Sequence, residues 1–261
     1  MNKEIVSEII NKNYKEITEK IEGFLTKQLE ESSAKGLIFG LSGGIDSAVV
    51  AYLCQRKMKS KVTALIMPDT KISPKSETED ALKMIDRLGI DYKLIDISLI
   101  VNEYSKYLEP DEKAKGNLRA RIRANLLYYY ANSKNYLVVG TSDKSEYLLG
   151  YFTKFGDGSA DIQPIISLYK LQVRKLAEFL GVPNSVISKK SGPHLLLNHF
   201  AEEEIGVTYE EIDPILYCLI DKKLSTKETS SKTEIPIQTV EKIHSLYKIS
   251  EHKRITAPKP T

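Results

Sequence analysis

Ser42-Gly43-Gly44-Ile45-Asp46-Ser47 is the stretch whose residue types most directly suggest chemistry. It follows the apolar run Gly36-Leu37-Ile38-Phe39-Gly40-Leu41 and leads into a helical pattern that reaches Met58. Adjacent glycines let a backbone turn tightly and approach a ligand, and a helix starting behind them aims its unpaired N–H groups at that ligand. An anion suits such a turn, with the hydroxyls of Ser42 and Ser47 as further donors to phosphate oxygens. No Lys follows the glycines, so this is not a Walker A loop, and Gly-x-Gly-x-x-Gly is absent, so it is not a dinucleotide fingerprint. Asp46, in the first helical turn, would repel a phosphate, although the helix dipole favours a carboxylate there. A bridging Mg²⁺ resolves that conflict. The plainer alternative is a glycine turn capped by Asp46 in an ordinary βα unit; the agreement of strand, turn and helix favours the anion site.

Other candidates are more ambiguous. On a helix Arg119 and Arg123 share a face while Arg121 points about 200° away from either, so one face or the other reaches an anion and the rest form surface ion pairs. Glu146 follows the apparent strand Tyr136-Leu137-Val138-Val139-Gly140 by a few residues, where a metal ligand sits at a sheet's carboxyl edge. Lys154, Asp157 and Asp161 occupy a glycine-rich stretch compatible with catalysis or with a solvated loop. His194 and His199 have no Cys or carboxylate at metal-ligand spacing, which argues against zinc. Cys54 and Cys218 are the only cysteines, too few for a disulfide scaffold, a thiolate zinc site or a Cys-ligated iron–sulfur cluster. Two buried thiols in a reducing cytoplasm fit best, since Cys54 shares an apolar stripe with Val50 and Leu53.

These groups need a scaffold, and the chain has the composition to build one. Of 261 residues, 41% are hydrophobic and 28% charged, an ordinary globular balance that excludes disorder over most of the chain. Lys and Arg number 38 against 35 Asp and Glu, a formal charge of +3. The excess lies in the tail at Lys248, Lys253, Arg254 and Lys259, so the body lacks the basic footprint of a nucleic-acid binder. No stretch approaches the roughly 18 apolar residues of a membrane span, and Met1 to Lys15 has no export-type apolar core. Ile5, Ile9, Ile10, Tyr14, Ile17, Ile21, Phe24, Leu25 and Leu29 predict one long amphipathic helix that either covers the sheet or lines a dimer interface.

Strands are expected at 36–41, 62–67, 92–97 and 136–140, with helices at 46–58, 76–88, 117–132, 168–180, 213–222 and 237–247. Their alternation predicts an α/β fold, a doubly wound, Rossmann-like parallel sheet flanked by helices on both faces. Residues 141–161 and 188–200 are left as irregular, functional segments. Nothing marks a repeat, a linker or a boundary, so 1–261 is expected to be a single domain.

The Ser-Gly-Gly-x-Asp-Ser turn resembles the pyrophosphate-binding loop of the N-type ATP pyrophosphatases, enzymes of the adenine nucleotide alpha hydrolase-like fold that split ATP into AMP and pyrophosphate. Further segments resemble NAD synthetase within that superfamily: Gly116-Asn117-Leu118-Arg119-Ala120-Arg121-Ile122-Arg123, Gly140-Thr141-Ser142-Asp143-Lys144-Ser145-Glu146, the run Gly150 to Asp161, Leu168-Tyr169-Lys170-Leu171-Gln172-Val173-Arg174, and Ser250-Glu251-His252-Lys253-Arg254. The resemblance implies a ligase that amidates deamido-NAD with ammonia to give NAD, AMP and pyrophosphate through an NAD-adenylate. It further implies ATP as co-substrate on Gly40, Leu41, Ser42, Gly43, Gly44, Ile45, Asp46, Ser47, Thr141, Lys170 and Ser191, and Mg²⁺ on Asp46 and Glu146. Deamido-NAD would contact Arg121, Lys154, Asp161, His252 and Lys253, Asp157 would lie near the ammonia, and Asp157, Lys170 and Asp46 would be the catalytic groups.

A homodimer is implied as well. Only about 35 residues precede the glycine turn, which leaves no room for a glutaminase domain, so free ammonia is the expected donor. The family's Pro-Ser/Thr-Ala-x-Leu run and its Gly-Gln-Thr-Asp-Glu are replaced here by Lys190-Ser191-Gly192-Pro193-His194-Leu195 and Asn198-His199-Phe200-Ala201-Glu202-Glu203. Ser191, Leu195 or Leu196, and Glu204-Ile205-Gly206 keep the pattern, which predicts a covering segment of altered chemistry. Two rivals are another adenylating enzyme of the superfamily, such as one acting on tRNA, and a non-catalytic nucleotide-binding protein. The near-neutral body and the lack of a close Cys pair weigh against the first; the altered covering segment motivates the second.

Overall fold

The computed structural model describes residues 2–192, 195–196 and 200–259. Where a single long first helix was expected there are two, α1 (Lys3–Ile10) and α2 (Tyr14–Ser32). The polar triplet Asn11-Lys12-Asn13 breaks them, and the Asn13 side chain accepts from the Glu16 N–H as the cap of α2. The chain continues through β1 (Gly36–Gly40), α3 (Ile45–Met58), β2 (Val62–Ile66), α4 (Lys75–Leu88), β3 (Asp91–Leu94), α5 (Ser98–Ser105), α6 (Glu112–Lys134) and β4 (Tyr136–Val138). After β4 come α7 (Lys144–Leu149), α8 (Lys170–Leu180), α9 (Asn184–Ile187), α10 (Ala201–Ile205), α11 (Tyr209–Leu216), α12 (Thr226–Thr233), α13 (Ile237–Ile249) and α14 (Glu251–Arg254). The expected helix at 213–222 is thus the end of α11 followed by a π-helical turn at Tyr217–Asp221.

The strands are parallel in the order β3-β2-β1-β4, with Leu37 opposite both Val62 and Leu137. β2 and β3 lie on one side of β1 and β4 on the other, so the connections diverge at β1 and open a crevice at the carboxyl ends of β1 and β4. Alternation along each strand feeds two cores. Leu37, Phe39, Ala64 and Ile66 pack with Leu25 of α2, Leu53 of α3 and Leu176 of α8. Ile38 and Leu65 pack the other way, with Val101 of α5 and Ile122 of α6. A third core joins α1, α7, α11 and α13 through Ile5, Ile9, Leu149, Ile212 and Val240. The apolar face of the amino-terminal helices is therefore covered within the chain except at Phe24, which is exposed. Both cysteines are free and buried.

The third strand is shorter than the expected 92–97 and exposed throughout, because it is the sheet edge and carries Asp91 and Lys93. Among the described residues no helix is long and apolar enough to cross a membrane.

One buried ion pair fastens α6 beside the crevice. Arg119 Nε donates to Asp69 Oδ2 at 2.8 Å, and its Nη1 reaches the Leu195 carbonyl at 3.0 Å. Replacing Arg119 by Met leaves the Asp69 carboxylate buried without its counter-charge, and urea unfolding should show a loss of about 3–5 kcal/mol. A loss below about 1 kcal/mol, the scale of an exposed pair, would mean that water reaches Asp69.

Candidate active site

The glycine turn closes the carboxyl end of β1. Gly43 has φ +91°, and a Cβ there would stand 2.2 Å from the Glu77 carbonyl oxygen, so only glycine fits between the turn and the start of α4. Gly44 caps α3 without a side chain, which leaves the N-terminal N–H groups of that helix facing the crevice. Ser42 is exposed there. Ser47 is not: its buried Oγ donates to the Gly44 carbonyl at 3.0 Å and accepts the Ser42 N–H at 3.2 Å. Ser47 thus shapes the turn from within while also lining the cavity.

Behind Asp46 lies a dense ionic centre. Lys170, the first residue of α8, has no exposed surface, and its Nζ lies 2.7 Å from Asp46, 2.9 Å from Asp143 and 2.9 Å from Glu146. Asp143 and Glu146 are the two halves of the capping box of α7, which fixes both carboxylates. Burial raises the carboxyl groups of Glu146 and Asp143, and the Lys170 charge opposes that rise. Burial alone would strip the Lys170 proton; the charges of Asp143, Asp46 and Glu146 outweigh it and hold the ammonium well above its ordinary range.

Three carboxylates against one ammonium leave this centre formally two charges negative. One oxygen from each of Asp46, Asp143 and Glu146 lies within 4.8 Å of the others, and Asp46 Oδ1 is buried with no hydrogen-bond partner among the described residues. An all-oxygen donor set with that charge deficit fits a hard divalent cation such as Mg²⁺. Asp143 was missed as a ligand candidate; the Asp-x-x-Glu spacing was the available signal.

The crevice itself is a cavity of about 250 Å³. Gly40, Leu41, Ser42, Gly44, Ile45, Asp46, Ser47, Thr141 and Ser191 all line it, whereas Lys170 stands behind the carboxylates. Met67, Ala124 and Leu127 make its apolar side, wide enough for a planar ring system. Ser191 Oγ is buried with no partner among the described residues, which suits a ligand contact. Lys189, which the sequence gave no reason to select, also lines the cavity and pairs with Asp80 at 2.7 Å. Asp157 lines the cavity with an exposed side chain; the loss of hydration to the protein around it raises its carboxyl despite the Thr153 N–H that it accepts at 2.9 Å.

Of the three arginines, Arg123 lines this cavity and donates to the Met67 carbonyl at 2.9 Å, while Arg119 is spent on Asp69. Arg121, exposed, donates to the Lys154 carbonyl at 3.3 Å. Lys154 Nζ in turn donates to the His252 carbonyl at 2.6 Å, and Lys253 Nζ to the carbonyls of Gly150 and Phe152 at 2.7 and 2.8 Å. Arg121, Lys154, His252 and Lys253 are thus gathered where α14 docks on the 150–154 loop, outside the lining of the cavity. Asp161 stands apart from them, its carboxylate accepting the Val138 N–H at 2.7 Å and the Tyr128 hydroxyl at 3.3 Å. His194 and His199 lie outside the described residues, so the argument against zinc rests on their spacing alone.

A family model described as NAD synthase matches residues 17–257. The NH(3)-dependent NAD(+) synthetase of Hyperthermus butylicus is 47% identical over 258 residues, covering 98% of this chain and 94% of that protein. Among solved structures, NMN synthetase from Francisella tularensis superposes with a TM-score of 0.85 at 35% identity, covering 95% of this chain and 99% of that one. The NH3-dependent NAD synthetase of Campylobacter jejuni, solved with nitrate, gives 0.82 at 34% identity, covering 96% of this chain and 100% of that one.

Asp143→Asn keeps a carbonyl oxygen for the α7 cap while removing one anionic donor from the centre. Mn²⁺ affinity in the presence of ATP, followed by electron paramagnetic resonance, should fall by about 10–100-fold, the loss that even outer-shell changes produce. Unchanged affinity would exclude Asp143 from the cation's coordination.

Proposed function

The chain belongs to the NAD synthase family, and we propose that it is an ammonia-dependent ligase that converts the nicotinate carboxylate of deamido-NAD into the amide of NAD, with ATP as co-substrate. The observation that carries this reading is the continuity of one cavity wall, from the glycine turn past Asp46 and Glu146 to Asp157. Activation, departure of an anion and attack by an amine need those three stations side by side.

A carboxylate resists nucleophiles, so its oxygen first attacks the α-phosphorus of ATP to give an acyl-adenylate and pyrophosphate. The N–H groups of the turn and of α3 face the charge that develops on the pyrophosphate, and Arg123 adds a fixed cation beside the apolar wall that would take the adenine. Lys170 supplies positive charge from behind Asp46. Mg²⁺ held by Asp46, Asp143 and Glu146 would neutralise phosphate charge at that same station. Asp157, with its raised carboxyl, would hold ammonium and accept a proton as nitrogen forms its bond to the acyl carbon, with AMP leaving.

Arg121, Lys154, Asp161, His252 and Lys253 are the proposed contacts to the dinucleotide. Lys154 spends one ammonium N–H on a carbonyl and Lys253 two, so each retains a donor. A cytoplasmic enzyme acting as a single domain is part of the proposal, supported by the two buried free thiols. So is a homodimer, supported by the exposed Leu99, Tyr107 and Tyr129 around α5 and α6.

Because one close structural relative is named an NMN synthetase, the size of the acceptor is tested directly. With Mg-ATP and ammonium, deamido-NAD should give NAD at a kcat/KM well above that for nicotinate mononucleotide, and glutamine without ammonium should give none. Preference for the mononucleotide would overturn the substrate, and no amide from either would overturn the reaction.

Asp157→Asn should lower kcat by about 10²-fold or more, the usual worth of a positioned base. The ionised carboxylate is the working form and its pKa is raised, so activity should fall with decreasing pH at a point above the ordinary Asp range. A pH–rate profile at constant free ammonia should show that acid limb in the wild type and lose it in the variant.

A further inference from the structure

Asp213 is fully buried on α11, lines no part of the cavity, and plays no part in the chemistry proposed above. Its carboxylate nevertheless bridges the two helices that carry the ionic centre. Oδ1 accepts the Ser145 hydroxyl at 2.5 Å, and Oδ2 accepts the Leu171 N–H at 2.8 Å. Ser145 Oγ accepts the Lys170 N–H at 2.9 Å, so the first two N–H groups of α8 are held from outside their own helix. Tyr169, the residue before α8, makes no side-chain hydrogen bond of its own to the helix start and instead donates its N–H to Gln172 at 2.9 Å.

The placement of these bonds is specific. Ser145 sits between Asp143 and Glu146 on α7, and Lys170 is the first residue of α8. Asp213 therefore sets the distance between the ammonium and two of its three carboxylates without touching any of the four. Burial pushes the Asp213 carboxyl up to about 7, against the bonds from Ser145 and Leu171 that favour its charge. A costly ionisable group is kept where an apolar residue would pack more cheaply, at a joint whose geometry the site depends on.

We infer that Asp213 is a positioning residue for the phosphate and cation station of the site, acting through Ser145 and the start of α8. This rests on the ligase reading above, so its test includes a measurement that needs no turnover. Asp213→Asn keeps shape and one acceptor but reverses the donor sense toward Ser145; Asp213→Ala removes both bonds; Ser145→Ala removes only the hydroxyl link.

For folded Asp213→Asn, kcat should fall by about 10–100-fold and Mn²⁺–ATP affinity by a similar factor, as for other outer-shell partners. The KM for deamido-NAD should stay within about twofold, because the interaction lost is confined to the phosphate station. Asp213→Ala should lose more, and adding Ser145→Ala to it should cost little further, since the two act as one unit.

A kcat and a Mn²⁺–ATP affinity both within about twofold of wild type in folded variants would overturn the inference, as would an equal rise in the KM of every substrate. Should Asp213→Asn fail to fold, Ser145→Ala alone carries the test, with the same split between kcat and deamido-NAD KM expected. If the wild type makes no NAD, the function has failed while this inference still stands or falls on Mn²⁺–ATP affinity.

Discussion

A single ammonium with no contact to solvent, surrounded by three carboxylates from two separate stretches of chain, sets the terms for the rest of this structure. Asp46 comes from the start of α3, Asp143 and Glu146 from the start of α7, and Lys170 from the start of α8. Each is at or near a helix N-terminus, where backbone N–H groups favour negative charge, so the fold gathers helix ends around an acidic cluster. The ammonium meets only part of the resulting charge. Burial, and after it the neighbouring carboxylates, raise the carboxyls of Asp143 and Glu146 against the Lys170 charge, and a divalent cation at the same centre would bring the formal sum to neutrality. The protein-side geometry therefore anticipates a cation and a polyphosphate as one unit.

Such a centre needs rigid placement, and the sheet order supplies it. Because β1 lies between β2 and β4, the loops leaving its neighbours diverge and expose the glycine turn. The closeness of Gly43 to Glu77 clamps the turn against α4, and Gly150 is clamped in the same manner, with a Cβ there standing 2.2 Å from Ser250 Cβ. Two glycines with positive φ, one at each end of the proposed site, are thus close-approach points. The first brings backbone to the phosphate station, and the second brings the carboxyl-terminal helices to the loop that holds Lys154.

The sheet, its parallel sense and the glycine turn were legible in the sequence, because buried strands and a strand–turn–helix context leave strong local patterns. The break between α1 and α2 was less so: apolar spacing continued across Asn11-Lys12-Asn13, and only the capping preference of Asn13 marked it. Ser47 carries the same hydroxyl as Ser42 five residues earlier, and nothing local distinguishes a donor to ligand from a donor to Gly44. The arginine helix was read correctly as two faces, but which face met the cavity depended on how α6 lies against β1 and β4, a tertiary fact. Asp213 was beyond reach for a similar reason. Its partners are 68 and 42 residues distant, and it sat unremarked in an apolar helical pattern.

The segment that departs most from the family's pattern still brings a hydroxyl to the cavity. A Pro-Ser/Thr-Ala run gives way to Lys190-Ser191-Gly192, yet Ser191 lines the cavity with its hydroxyl buried and without a partner among the described residues. The described part of the segment is held both by its own Ala201 N–H to the Ser191 carbonyl, at 3.0 Å, and from outside. Arg119 binds the Leu195 carbonyl while neutralising Asp69, and a Cβ added at Gly116 would meet Leu195 at 3.4 Å. Lys189 spans from the segment to Asp80 on α4, beside the glycine turn. A bond to the main-chain carbonyl of Leu195 does not depend on the side chain there, so the residue at that position can change without loosening Arg119.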